Sequence, residues 1–454
     1  MTKSTRVIVM IWLAWGILVI AFQALATARL VPQFPDRALE WTTKFTGPRY
    51  VGTLSSSAPL RLEWRIKFKG PGYQEDHVYL LEPFMNDQVA WDSEYYLSIA
   101  TGGYDDPRSP HLTPQGEVIT FPQGIQSTEG SSGSSISSNY AFFPFYPLLI
   151  RILAYPLRVF GLNPIATATL AGVLISALGT LFGMLALFDL TRDYLGEAGA
   201  LRAVFYLIVF PTGFFLIQVY TEGLFIGLAF GCLAMLKRQQ WIPAALLASA
   251  ATMTRAVGLA LVIPMLITWI RAGLWTNLDL KWPWTDQGRF PFRPLARGLL
   301  VCAPVIAFLI WKFSYLGLNF RYIEDKIYGR GVLHLGKALY LWSEAFRTML
   351  AGTNPQHTAY YLTEFLGLAI GVIACIVTIK AHPEIGWFSL AVLLISWGSG
   401  PAQGIHRYIL GAPAVFITLA RWGNNPAFDR AWTTLSILLM GLLAMLFAFN
   451  MWVA

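Results

Sequence analysis

Residues 7–28, VIVMIWLAWGILVIAFQALATA, contain no charged side chain. A helix needs about 20 such residues to cross the hydrocarbon core of a bilayer. Only structures that satisfy every backbone donor and acceptor internally survive there. Comparable apolar runs recur near 163–188, 200–218, 222–236, 241–254, 256–271, 298–316, 359–379, 385–399, 407–420 and 432–452, some short enough to be broken helices. The pattern predicts an all-α polytopic membrane protein, a bundle of about 11 transmembrane helices. The runs are continuously apolar rather than alternating, which argues against a β-barrel. With 55% hydrophobic and 13% charged residues, the chain lacks the polar surface of a soluble domain.

Lys3 and Arg6 precede the first run, and Ala24–Ala28 resembles a small-residue cleavage site. The run is too long for a signal-peptide core, so an uncleaved first span is expected. The net charge of +8 reads as basic cytoplasmic loops, not as a nucleic-acid surface. Cys232, Cys302 and Cys375 all fall in apolar runs and read as buried small hydrophobes. No Asn-x-Ser/Thr acceptor site occurs, which favours a prokaryotic plasma membrane.

Residues 29–162 are too rich in Pro, Gly, Ser and charge to cross lipid before about residue 140. Within them, residues 60–70 alternate weakly, as a strand would, and residues 126–139 form a Ser/Gly tract that reads as a mobile loop. Residues 141–161 are apolar but carry Arg151, Arg158, Pro144, Pro147 and Pro156. A mid-bilayer arginine costs about 2.5–3.5 kcal/mol, so an interfacial or re-entrant helix is expected. That choice places Arg192, Arg202, Lys237, Arg238, the 271–297 loop, Lys380, Arg421 and Arg430 on the cytoplasmic side, as the positive-inside rule requires. The chain then divides into a first span (1–28), a large extracytoplasmic loop with juxtamembrane helices (29–162), a transmembrane core (163–316), a second extracytoplasmic loop (317–358) and C-terminal spans (359–454).

The same topology puts Asp92, Tyr220–Glu222, Thr254–Arg255 and His406–Arg407 on one face. Ionisable residues at such depth mark functional sites by default. The segment WDSEYYLSIATGG, residues 91–103, reads as a short amphipathic helix opened by Asp92 and closed by Gly102–Gly103. A plain alternative makes Asp92 an N-cap, with Tyr95 and Tyr96 anchored among headgroups.

WDSEYYLSIATGGY followed by AFFPFYPLLIR resembles the paired signature of the PIG-V family, the GPI mannosyltransferase II enzymes and their prokaryotic relatives in the GT-C class of membrane glycosyltransferases. The match runs through Trp91, Asp92, Tyr96, Ile99, Ala100, Gly103, Tyr104, Phe142, Phe143, Pro144 and Pro147. PTGFFLIQVYTEGLF (211–225), ATMTRAVGL (251–259) and HRYILGAPAVF (406–416) resemble later family segments. The gap between Tyr104 and Phe142 is longer than in the eukaryotic members, which leaves the acceptor open.

The resemblance implies a polyprenyl-phosphate-linked sugar donor, most simply mannose, transferred with inversion on the extracytoplasmic face to a hydroxyl of a glycolipid, glycan or protein. It maps the catalytic base onto Asp92. A carboxylate within hydrogen-bond reach can take the proton of an attacking hydroxyl, and guanidinium grips a leaving phosphate through paired hydrogen bonds. Arg255 and Arg407 are the candidate phosphate ligands, with His406 assisting if protonated. Trp91, Glu94, Tyr95, Tyr96, Tyr104, Tyr220, Glu222 and Arg151 are supporting candidates. Each has a plainer reading: Arg255 holding a turn, Arg407 as an interfacial anchor, Glu222 bracing Arg255, Arg151 at headgroups, Glu94 and Asp105 solvated. Asp87, Asp92 and Glu94 lack diagnostic metal spacing. No metal or other cofactor is expected. A lipid transporter or a non-catalytic component of a glycan-assembly complex are the rival readings; a transporter would ordinarily show internal repeats.

Overall fold

Asn-Pro steps open three of the longest apolar helices. Proline fits the first helical position because its missing N–H would be unpaired there anyway, and asparagine caps the turn that follows. The computed structural model describes residues 2–30, 84–106, 109, 111–112, 118–119, 136–272, 292–327, 330–331 and 335–453. The expected strand at 60–70 and most of the Ser/Gly tract lie outside the described residues, as does most of the 271–297 loop.

The first helix, α1 (Lys3–Arg29), is capped by the Thr2 hydroxyl. After a 3-10 turn at Asn86–Gln88 comes α2 (Asp92–Gly102). A small antiparallel sheet follows, β1 (His111–Leu112) pairing with both β2 (Val118–Ile119) and β3 (Ile136–Ser137). Next are α3 (Phe145–Leu157) and α4 (Pro164–Val209), the latter capped by Asn163, whose Oδ1 accepts from Ala166 N at 2.7 Å. Then come α5 (Thr221–Lys237), α6 (Trp241–Thr254), α7 (Val262–Arg271), α8 (Phe292–Val301), α9 (Ala303–Lys312), α10 (Tyr315–Leu318) and α11 (Phe320–Ile327). The chain closes with α12 (Leu335–Ala351), α13 (Pro355–Ala381), α14 (Pro383–Trp397), α15 (Ile405–Tyr408), α16 (Pro413–Trp422) and α17 (Pro426–Ala448).

Among the described residues, α1, α4, α13 and α17 are long and apolar enough to cross a membrane. The pair 303–312 and 315–324 qualifies together but bends by 76°, and α6, α14 and residues 256–271 are shorter apolar helices. The chain is therefore a mainly helical, multi-pass membrane protein. The 141–161 segment forms a 13-residue helix, α3, flanked by 3-10 turns. It buries Tyr146 and Ile150 and exposes Leu148, Ile152 and Tyr155, as a helix lying against the bundle does.

The spans expected at 163–188 and 200–218 are joined in α4, broken at Gly196 (φ 69, ψ 174). Glycine alone enters that region without a Cβ penalty. Before the break, Asp189 meets Arg238 at the far end of α5; after it, Thr212 Oγ1 donates to the carbonyl of His406. The two halves therefore run in opposite directions. Close packing of α4 on α5 depends on small residues: a Cβ on Gly179 would lie 2.6 Å from the Gly223 carbonyl oxygen, and one on Gly227 2.5 Å from that of Gly179. Of the three cysteines, Cys232 and Cys375 are buried as expected, whereas Cys302 is exposed.

Alternating chain direction gives the bundle two chemically distinct ends. One carries Asp189, Arg192, Asp193, Lys237 and Arg238, with Lys237 Nζ 2.6 Å from Asp193 Oδ2. The same end holds the Arg202 bond to the Ala420 carbonyl and the Arg271–Glu384 pair. The opposite end gathers Asp92, Glu222, Arg255 and Arg407.

Candidate active site

The start of α2 is held from below by glutamines. Gln23 in α1 accepts from Gln88 (3.3 Å) and Gln218 (3.0 Å), and donates to the carbonyls of Asp87 and Ala444. In an apolar interior such amides must be paired, so they fix the 86–90 turn against α1, α17 and the 213–217 turn. The fully buried Tyr220 hydroxyl adds a clamp: it accepts from Asp92 N (3.2 Å) and donates to the Ala90 carbonyl (3.1 Å). Trp91, between them, adopts φ 57, a conformation costing a non-glycine residue about 1–3 kcal/mol and concentrated at functional sites. Trp91, rather than Asp92, occupies the N-cap position, and it makes no side-chain capping bond. The Asp92 carboxylate is thus free of capping duty.

It points instead to Arg407. The Nη1 of Arg407 lies 3.4 Å from Asp92 Oδ2, and its Nε lies 3.2 Å from Glu222 Oε1. The same Glu222 oxygen pairs with Arg255 Nη1, which also donates to Thr221 Oγ1 at 3.1 Å. Charges alternate along the line Arg255, Glu222, Arg407, Asp92, drawn from four separate segments. Arg407 and Glu222 are almost wholly enclosed, while the Asp92 side chain keeps 29% of its surface exposed. Aromatic faces line the cations: Arg255 sits 4.5 Å above the Tyr408 ring, and Arg407 stands 5.3 Å from Tyr220 and 5.4 Å from Phe215. Such contacts partly replace lost hydration of the guanidinium.

Two further residues, one in the cluster and one behind the 405–408 helix, were not marked by the sequence. Arg330 donates through Nη1 to the Tyr408 hydroxyl (3.1 Å) and through Nη2 to the Gln403 carbonyl (3.4 Å). Among the described residues it makes no ion pair within 4 Å, unlike Arg255 and Arg407. Its loop is tied down by Gly331 N donating to the Ser399 carbonyl. The second is Glu364 of α13, fully buried. An acid inside an apolar run was the available signal for Glu364; Arg330 stands in a polar stretch, where an arginine is unremarkable.

Other expectations shift. His406 does not turn to the cluster: Nδ1 lies 3.1 Å from Glu364 Oε1 and Nε2 lies 2.8 Å from the Val453 carbonyl, so both ring nitrogens are engaged inside the protein. Arg151 stands apart from it as well, donating from Nε and Nη2 to the carbonyls of Ala100 and Ile99 at 2.9 Å each. It satisfies the last turn of α2, where a cation also meets the negative end of the helix dipole. Glu94 is fully buried rather than solvated. Tyr95 and Tyr96 are not headgroup anchors: Tyr95 stacks on Phe142 at 4.7 Å, and buried Tyr96 packs edge-on against Tyr146 and Tyr220. Asp105 accepts from the Tyr140 hydroxyl at 2.8 Å. Tyr104 donates to the Phe142 carbonyl, and burial pushes its hydroxyl above the ordinary phenol range. Among the described residues, no three His, Cys, Asp or Glu side chains converge as a metal ion would require.

Residues 126–324 match the family model described as Mannosyltransferase (PIG-V). The matched segment contains Glu222 and Arg255 and excludes Asp92, Arg330, Glu364 and Arg407. Among solved structures, the chain is similar to ArnT from Cupriavidus metallidurans bound to undecaprenyl phosphate, with 16% identity, TM-score 0.44, and 78% of this chain and 60% of that one covered. It is also similar to the archaeal oligosaccharyltransferase AglB from Archaeoglobus fulgidus in complex with an inhibitory peptide and a dolichol-phosphate, with 14% identity, TM-score 0.39, and coverage of 96% and 56%. In these two matches the chain thus spans less than two thirds of the other structure's chain. No curated protein sequence matches it.

Proposed function

We propose that this PIG-V-like chain is an inverting glycosyltransferase of the GT-C type, with about eleven membrane crossings, moving a sugar from a polyprenyl-phosphate donor to a hydroxyl acceptor. The carrying observation is the Asp92–Arg407 contact at 3.4 Å within a cluster of three guanidinium groups. A partly exposed carboxylate beside several cations suits one reaction class well: an acid to take a proton, and positive charge for a departing anion.

In this reading, Asp92 accepts the proton of the acceptor hydroxyl as its oxygen attacks the anomeric carbon. The bond from that carbon to the phosphate oxygen breaks, and the electron pair leaves with the lipid phosphate. No acid partner is needed, because a phosphate leaves without protonation when cations meet its developing charge. Arg330, bonded to the Tyr408 hydroxyl and the Gln403 carbonyl, adds positive charge beside Arg255 and Arg407, which pair with Glu222. Mannose is the favoured sugar, on the strength of the family match across residues 126–324. The cation-rich opposite end supports a cytoplasmic assignment for that end and an extracytoplasmic active site.

Purified protein in lipid nanodiscs is given polyprenyl-phosphate mannose, glucose and arabinose with glycolipid, glycan and peptide acceptors. Release of polyprenyl phosphate with a matching gain of one sugar on an acceptor is expected, fastest with mannose. No release from any donor sinks the proposal.

A further inference from the structure

The helix that carries Arg407 and Tyr408 is four residues long, Ile405–Tyr408. A helix this short cannot hold itself, since its first turn fixes several dihedrals for little hydrogen bonding. It begins at Gly404 with φ 77 and is followed by a 3-10 turn. Something outside must set its place.

That something is one carboxylate from a different helix. Glu364 Oε1 accepts from Gly404 N (2.5 Å) and the Tyr360 hydroxyl (2.6 Å); Oε2 accepts from Ile405 N (2.8 Å) and His406 N (3.3 Å). These backbone N–H groups are the ones a helix start leaves unpaired, and an anion suits the positive end of its dipole. The His406 ring then ties the same carboxylate to the Val453 carbonyl, and the Thr212 hydroxyl holds the His406 carbonyl. Arg407 is the next residue, and its backbone N donates to the Gly404 carbonyl. Glu364 touches neither Asp92 nor Arg407, yet it holds the frame from which Arg407 reaches Asp92 and Glu222.

We propose that Glu364 is a positioning residue for this active site: by gathering the leading N–H groups of the 405–408 helix and the His406 ring, it aims Arg407 at Asp92 and Glu222, and Tyr408 at Arg330. The proposal rests on the glycosyl-transfer reading for its kinetic consequence, but its geometry stands independently.

Glu364→Gln keeps the shape, removes the charge and turns an N–H toward donors. The test compares Glu364→Gln, Arg407→Ala and the double variant in turnover per folded molecule, donor KM, melting temperature and a cryo-EM map. The single Glu364→Gln change lowers kcat about a hundredfold, the scale of an ångström-sized misplacement. The double variant is no slower than Arg407→Ala, because residues acting through one another are not additive. The Glu364→Gln map shows Arg407 withdrawn from Asp92. Additive losses, wild-type turnover, or a map in which the 3.4 Å Arg407–Asp92 contact persists would each overturn the inference. A role in bulk stability alone lowers the melting temperature and adds to the Arg407→Ala loss. If Glu364→Gln does not fold, Tyr360→Phe removes one of the ties and gives a smaller kcat loss, again masked by Arg407→Ala; an unmasked loss overturns the proposal. A wild-type protein inactive toward every donor defeats the glycosyl-transfer reading alone, since the map still tests the positioning.

Discussion

Replacing Asp92 and Glu222 separately by their amides distinguishes a proton acceptor from a brace. Glu222 Oε1 stands 3.2 Å from Arg407 Nε and also pairs with Arg255, all three enclosed. Two unit charges at that distance attract by about 5 kcal/mol at an effective dielectric of about 20. Removing one partner of a buried pair costs about 3–5 kcal/mol, because the other charge is left uncompensated. Glu222→Gln strands Arg255 and leaves Arg407 with Asp92 alone, so its cost belongs in that range. Asp92 differs. Its carboxylate is 29% exposed and 3.4 Å from Arg407, and Arg407 keeps Glu222 when Asp92 is neutralised. A pair of this kind contributes about 0–1 kcal/mol. If Asp92 takes the proton in the transfer step, its amide lowers turnover by about 10²–10⁴, or about 3–5 kcal/mol of barrier. Both variants are purified in nanodiscs; melting is followed by tryptophan fluorescence and turnover by release of polyprenyl phosphate. The expected pattern is Asp92→Asn folded like the wild type and inactive, and Glu222→Gln clearly destabilised with residual turnover in its folded fraction. The reasoning fails if Asp92→Asn keeps more than about a tenth of wild-type turnover, or if it destabilises as much as Glu222→Gln.

Gly179→Ala places a methyl carbon 2.6 Å from the Gly223 carbonyl oxygen and lowers stability by about 1–3 kcal/mol, read as a drop in melting temperature. Arg151→Ala frees the Ala100 and Ile99 carbonyls; at about 1.5–3 kcal/mol for a bond to a charged group, it speeds hydrogen exchange in 99–103 and leaves the Asp92–Arg407 contact in place. His382 lies tilted against Tyr194 with ring centres 4.1 Å apart, and burial, then the nearby Arg421, Arg271 and Lys237, hold its imidazole below the usual 6.5 despite an opposing pull from Glu384. A base so depressed contributes stability that is complete above pH 6.5 and is lost as pH falls through its folded value. Melting temperature therefore declines as pH falls below about 6.5, and His382→Gln flattens that decline.

The Asn-Pro steps at 163–164, 354–355 and 425–426 open helices, a local capping signal that the apolar runs expected from 359 and 432 passed over. The reversal within α4 was legible as two apolar runs, yet only Gly196 separates them as secondary structure. In the site, Asp92, Glu222, Arg255 and Arg407 stood out because charge in an apolar surround is costly. The same rule applied to Glu364, which went unmarked among the opening residues of its span. The direction of a ring or guanidinium is a tertiary property: nothing near His406 announced that it would turn to Glu364 and Val453, nor near Arg151 that it would cap α2. Tyr408 gained its place from Arg255 and Arg330, each remote in sequence.

The Asp92–Arg407 contact joins residues 315 positions apart, and this has a consequence for biogenesis. The ribosome delivers the acid early and its cation late, so the inserted intermediate carries Glu222 and Arg255 as a provisional couple while α15 is still unmade. Under the proposed reading, the acid and the cation that faces it meet only once the final helices have been threaded into the bilayer, so the site is completed last.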